Sequence, residues 1–286
     1  MKTTNKYLSA GFVMAAIGIV LLLVLGVAVP VFSSTAFTGV AAPTSTPTPV
    51  PGDVIPLESI EGLTSLNATV KINVNGLIDG KRAEGDLNAL LTTNDQNKSR
   101  ATVSGSLLGD IAAQVGGSLL GMFTPSNVDI YKVPEGTYIV VNSLFPICVK
   151  PDTPKATAAT DEMSPQSLLT MLTSSDVARG ELVGEETLNG ATVNHYVING
   201  DAFLAAAQQS SDPKLSAFGE SLWSAEDADV YIDTESGYPV AFYGSYSGAY
   251  EPLQFEGDFD VQIELTGVNT NTPVNLPSSC DNPISQ

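Results

Sequence analysis

Histidine occurs once in this chain, cysteine twice and tryptophan once, and no charged residue lies between Tyr7 and Gly52. With His195 as its only imidazole and two widely spaced thiols, the sequence carries no zinc-ligand set. Gly-x-Ser-x-Gly elbows, phosphate loops and calcium loops with their central glycine are missing as well. These gaps argue against an enzyme, and neither a cofactor nor a metal is expected. His195 falls mid-strand in "VNHYVIN" and reads as a surface or turn-proximal residue, not as a general base. Glu226, Asp227, Asp229 and Asp233 read as a solvated acidic edge. Basic residues are also scarce. Lys2 and Lys6 precede the uncharged stretch, so from Gly52 onward 10 Lys and Arg stand against 31 Asp and Glu, a net charge of −21. Nucleic-acid affinity needs clustered Lys and Arg, so no nucleic-acid partner is expected. A surface of this sign also repels anionic membranes.

What is present begins with a short basic start and an apolar run, "LSAGFVMAAIGIVLLLVLGVAVPVF". Such a run approaches the roughly 20 residues needed to cross a bilayer and exceeds the usual signal-peptide core of about 7–15. "STA" ending at Ala36 fits a signal-peptidase site. Residues 1–36 are therefore a signal peptide or an N-terminal anchor in the cytoplasmic membrane. Either way, the charge pattern puts the rest of the chain outside the cytoplasm. Residues 37–56 hold Pro43, Pro47, Pro49, Pro51 and Pro56 and read as an extended tether. Residues 57–286 are long enough for one domain with a sizeable core. Cys148 and Cys280 both fall on the exported side, where such a pair is a candidate disulfide.

Four segments of the domain alternate strictly. On 68–78, Ala68, Val70, Ile72, Val74 and Gly76 share one face and Lys71, Asn73 and Asn75 the other. On 82–91, Ala83, Gly85, Leu87 and Ala89 oppose Arg82, Glu84, Asp86 and Asn88. Segment 99–107 sets Ala101, Val103, Gly105 and Leu107 against Arg100, Thr102 and Ser104. Segment 254–265 sets Phe255, Gly257, Phe259, Val261, Ile263 and Leu265 against Glu256, Asp258, Asp260 and Glu264. Period-two alternation of this regularity predicts antiparallel strands with one dry face. Shorter strands are expected at 127–133, 137–142, 181–188 and 191–199, and a hairpin at 228–248 around Gly237. Helices are predicted at 164–172, 201–209 and 212–223, with a weaker one at 109–123 that holds Gly116 and Gly117. No internal repeat is found, and 150–163 reads as a polar loop. The dry faces are rich in small residues (Gly76, Ala83, Gly85, Ala89, Gly105, Gly257), which on a curved sheet mark bends and leave volume.

"GEETLNGATVNHYVINGDAFLAAA" (184–207) runs strand, Asn-Gly turn, strand, helix. With "SPQSLLTML" before it and "ADVYIDTESGYPVAF" after it, this order resembles the LppX/LprG lipoprotein family, and more distantly the LolA/LolB carriers. The resemblance covers about residues 57–268 in layout and short phrases. It implies a mainly antiparallel α+β fold, a strongly curved half-open barrel with helices packed in its concave face. It further implies a cavity there for lipid or acylated ligands. Val70, Ile72, Val74, Leu87, Val103, Leu107 and Ile263 are then the expected lining. One departure is that no cysteine precedes Cys148, so a lipid-modified cysteine is replaced by the apolar segment and tether. The rival reading is a structural or sensory envelope module whose hollow is filled by its own side chains.

Overall fold

A computed structural model describes residues 53–55, 64–108, 127–150, 179–210, 213–250 and 255–285, except for single positions 79, 95, 97 and 145. The helices expected at 109–123 and 164–172, the loop 150–163 beyond Lys150 and the apolar N-terminal run lie outside the described residues. Among the described residues, no helix is long and apolar enough to cross a membrane.

In chain order the first strands are β1 (Asp53–Val54), β2 (Leu66–Ile78), β3 (Lys81–Thr93), β4 (Ser99–Ser104), β5 (Asn127–Val133), β6 (Gly136–Asn142) and β7 (Ile147–Lys150). There follow β8 (Arg179–Leu188), β9 (Ala191–Ile198), helices α1 (Gly200–Gln208) and α2 (Pro213–Ser221), and β10 (Leu222–Ala225). The chain closes with β11 (Ala228–Asp233), β12 (Pro239–Tyr250), β13 (Phe255–Val268) and β14 (Ile284–Ser285). All fourteen strands among the described residues join one sheet in the order β1-β8-β9-β11-β12-β13-β2-β3-β4-β5-β6-β7-β14, with β10 on β12. Every pairing is antiparallel except β14 on β7. Among the described residues the edge strands β1 and β14 do not meet, and the sheet is open.

Local chemistry explains the turns. Asn189 and Gly190 both have positive φ (52° and 86°), the backbone that a two-residue hairpin of right-handed twist requires. The β11–β12 turn is held by the Asp233 carboxylate, which accepts from the backbone N–H groups of Glu235 and Ser236, with Gly237 at φ 72°. Helix α1 starts at Asn199, whose side-chain oxygen accepts from the Ala202 N–H at 3.0 Å. Helix α2 ends earlier than the pattern suggests: Leu222 and Trp223 pass into β10, which pairs with β12. The stripe of Leu215, Phe218 and Leu222 is thus shared between a helix and a strand.

Inner-face residues of β2–β6, β9 and β11–β13 belong to one contiguous buried cluster, with Phe203, Ala206, Ala207 and Leu215 of the two helices. Nine strands can share one core only if the sheet curves around it. The fold is therefore mainly antiparallel β, an open curved sheet with helices against its inner face. Asp53 and Val54, at the end of the proline-rich stretch, pair with β8, and Ile55 is buried in the same cluster. A second cluster lies on the outer side: Tyr131, Val133, Tyr138, Val140 and Cys148 pack against Val274, Leu276 and Cys280 of the C-terminal tail. The Cys148–Cys280 disulfide closes 132 residues and fastens this tail to β7.

Candidate ligand-binding hollow

Strand register sets the inner face row by row. Val70 lies opposite Ala89, which lies opposite Val103, and Val103 faces Val128. Ile72 lies opposite both Leu87 and Val261, and Val70 also faces Ile263. All seven expected lining residues fall in the main cluster at 1–5 % exposure: Val70, Ile72, Val74, Leu87, Val103, Leu107 and Ile263. Six stand on β2, β3, β4 and β13. Leu107 arrives differently. Segment 99–107 does not run through as a strand; β4 ends at Ser104, Gly105 turns the chain, and Leu107 folds inward. Asp86 fastens this turn, accepting from the Ser106 hydroxyl at 2.6 Å and the Ser106 N–H at 3.2 Å. Those two bonds hold the Asp86 carboxyl below its ordinary value.

The small inner-face residues need a correction. Gly257 and Gly105 do mark bends, with φ of 154° and 134°. They leave no free volume, however. A Cβ at Gly76 would collide with the backbone of Glu256, one at Gly257 with Gly76, and one at Gly105 with the Asp86 carbonyl. At Gly85 it would press on Ser106 and Leu107. Glycine is used here so that backbones can approach closely.

Beside the lining residues sits an aromatic group. Phe203 of α1 and Phe218 of α2 pack on Tyr246 of β12, which stacks at 5.5 Å on Phe259 of β13. Burial pushes the Tyr246 hydroxyl pKa well up. The described helices thus stand over the β12 side, touching each other, β10 and β12.

One inner row differs in chemistry. Moving one step along the strands from the row Ala68, Leu91, Ala101, Ile130 and Ile139, the register gives Leu66, Thr93, Ser99, Lys132 and Thr137. Thr93 is 5 % exposed, and its hydroxyl has no hydrogen-bond partner among the described residues. Sequence reading stopped the strand at residue 91 and missed this row, because no single strand carries it.

On the outer face the acidic edge is divided among separate tasks. Asp227 accepts from the Gly200 N–H and the Asn199 side chain at the start of α1, and Asp233 holds its turn. Asp229 lies 2.7 Å from His195 Nε2, while Glu186 lies 2.8 Å from Nδ1. Tyr231 stacks on the imidazole at 4.5 Å. His195 is indeed mid-strand and outward, yet its side chain is only 13 % exposed. Burial alone would lower its pKa, but the bonds to Asp229 and Glu186 outweigh burial and raise it.

No protein-family model matches the chain, and no curated protein matches it. Among solved structures it is similar to LprF from Mycobacterium bovis, at 13% identity over 76% of this chain and 90% of that one, with a TM-score of 0.40. It is also similar to a putative outer membrane lipoprotein-sorting protein domain from Vibrio parahaemolyticus, at 8% identity over 78% and 92%, TM-score 0.25. A DUF1329 family protein from Desulfovibrio piger gives 9% identity over 75% and 89%, TM-score 0.24. These likenesses are ones of layout alone.

Proposed function

We propose that this chain binds or carries a lipid or acylated ligand outside the cytoplasm, in the hollow between the curved sheet and its helices. The observation that carries the reading is the inner face itself. Seven branched apolar residues on neighbouring strands and one turn form a continuous apolar surface, and the described helices stand over the β12 side of it. Residues 1–36 serve as signal peptide or membrane anchor and the proline-rich stretch from 37 as tether, which ends sooner than residue 56 because Asp53, Val54 and Ile55 already belong to the domain. A C-terminal reporter fusion active only in the cytoplasm would refute that topology.

A second reading is favoured by a specific observation. The same seven residues are 1–5 % exposed, and the inner glycines abut protein backbone. A structural or sensory envelope module with a packed hollow accounts for both. Lipid extraction and mass spectrometry of the purified chain separate the two readings. A stoichiometric lipid supports the carrier; a well-folded chain reproducibly free of lipid supports the module.

Substitution adds a second discriminator. Gly105→Trp is unsuitable, since any side chain there is strained. Ala89 stands mid-face between Val70 and Val103. In a packed core Ala89→Trp overfills and costs about 1–3 kcal/mol or more. In a ligand site the indole replaces the guest, so the lipid-free form keeps its melting temperature and acyl-probe uptake falls.

A further inference from the structure

The inner face is apolar along most of its length and polar at one end, and that end has a composition. Across β3–β6 the terminal row presents Thr93, Ser99, Lys132 and Thr137, two hydroxyls and an ammonium on adjoining strands and a further hydroxyl beyond. Each of these groups can donate a hydrogen bond. Lys132 and Thr137 have interactions of their own; what matters is a positive charge on the inner side of a domain whose net charge is −21. Thr93 adds a hydroxyl that is buried and unpartnered among the described residues. Leaving such a group unmet in an apolar surround is costly, so a donor of this kind points to an acceptor that the described residues do not supply.

The spacing suits an amphiphile. From Thr93 to Leu87 the strand advances six residues, about 20 Å. One leaflet of hydrocarbon is about 15 Å deep, half the bilayer core. An acyl chain lying along Leu91, Ala89 and Leu87 is thus matched in length by the apolar rows, with its head at the polar one.

We propose that the row of Thr93, Ser99, Lys132 and Thr137 receives the head of the ligand, and that the ligand is a single amphiphile whose head carries an anionic oxygen group, a carboxylate or a phosphate ester. This rests on the lipid-binding reading above. The acidic outer surface still repels anionic membranes, because Lys132 lies on the opposite side of the sheet from Arg100 and Tyr131. The polar row thus acts on a molecule already inside and sets its orientation.

The test uses the lipid-stripped full chain and two fluorescent probes with the same acyl chain, one ending in a carboxylate and one in a methyl group. Thr93→Val keeps the shape and removes the donor; Lys132→Gln removes the charge. Each variant should weaken binding of the carboxylate probe roughly tenfold, the loss expected for a hydrogen bond to a charged group. Binding of the methyl-ended probe should stay unchanged. Parent-like binding of both probes by both variants would overturn the inference and leave the carrier reading standing. So would equal losses for the two probes. No uptake of either probe by the parent would overturn both. Should Lys132→Gln fail to fold, Thr93→Val and Thr93→Ser decide alone, with Ser restoring the carboxylate preference that Val removes.

Discussion

The two ends of the sheet finish their outer faces differently. Over most of β5 and β6 the sheet is covered by apolar side chains on both sides: Val128, Ile130 and Ile139 face the main core, while Tyr131, Tyr138 and Val140 face the tail. Around β9, β11 and β12 the outer side stays polar, finished by side chains that bond across strands. Glu186, His195, Asp229 and Tyr231 form one such group, and the Tyr243 hydroxyl donates to Glu264 at 3.0 Å. Burial, then that bond, pushes the Tyr243 pKa up to about 12. The first end depends on a distant part of the chain, fixed covalently. The second depends only on neighbours in the sheet. The two designs should therefore fail in different ways.

Breaking the disulfide should have the largest effect. A loop of 132 residues corresponds to about 4–5 kcal/mol in the chain-entropy model. Reduction, or Cys148→Ala with Cys280→Ala, should lower the melting temperature strongly. Hydrogen exchange should rise first in β5, β6 and the tail and leave β9–β12 protected. Exchange that rises evenly over the whole sheet would erase the distinction between the ends. Free-thiol titration of the denatured, unreduced chain should find none.

A charge deletion compared between a covered and a wet position sharpens the same contrast. Asp129 on β5 is 5 % exposed and accepts from Arg100, Thr102 and Asn142. Asp129→Ala removes the buried acceptor that those three donors share and should cost about 1–3 kcal/mol, moderated because the Arg100 side chain is 44% exposed. Asp260 on β13 is exposed and bonds only to Ser245 among the described residues. Asp260→Ala should stay within about 0.5 kcal/mol. Equal losses in urea titrations would mean that the tail does not desolvate β5.

How much of this was legible in the sequence follows from the same physics. Where one face is wet, as on β2, β3 and β13, alternation alone gives strand, face and lining residues. Where both faces are dry, alternation vanishes. "NVDIYKV" and "GTYIVVN" read as strands but do not reveal the tail that covers them, and β7 went unrecognised. Asn189-Gly190 and Gly237 announced their turns, and the two thiols announced a pair. The end of α2 was misplaced because Leu222 continues the helical stripe while its backbone joins β12. Glycine was misjudged for a related reason. The strand pattern says that Gly76 and Gly257 face inward, but only register shows them opposite each other. Register also assembles the row of Thr93, Ser99, Lys132 and Thr137, one residue from each of four strands.

The smallest expected effect lies at the wet end and is a dependence on pH. His195 is the chain's only histidine. A neutral imidazole has one N–H, whereas both ring nitrogens here approach a carboxylate, so the imidazolium alone satisfies both. Facing it are Glu186 from β8 and Asp229 and Tyr231 from β11, and its folded pKa is raised. For a base with a raised folded value, stabilisation is complete below the unfolded value of about 6.5. It is then lost as pH climbs through the folded value. Glu186 and Asp229 are 48% and 41% exposed, so screening keeps the contribution to about 1 kcal/mol or less. The parent's melting temperature should therefore fall relative to that of His195→Gln as pH rises above 6.5, with the two parallel below it. Titration of the single imidazole by NMR gives the folded pKa directly. A value at or below 6.5, or parallel pH profiles throughout, would show that the carboxylates do not hold the proton. The wet end would then rest on backbone pairing and the Tyr231 stack alone.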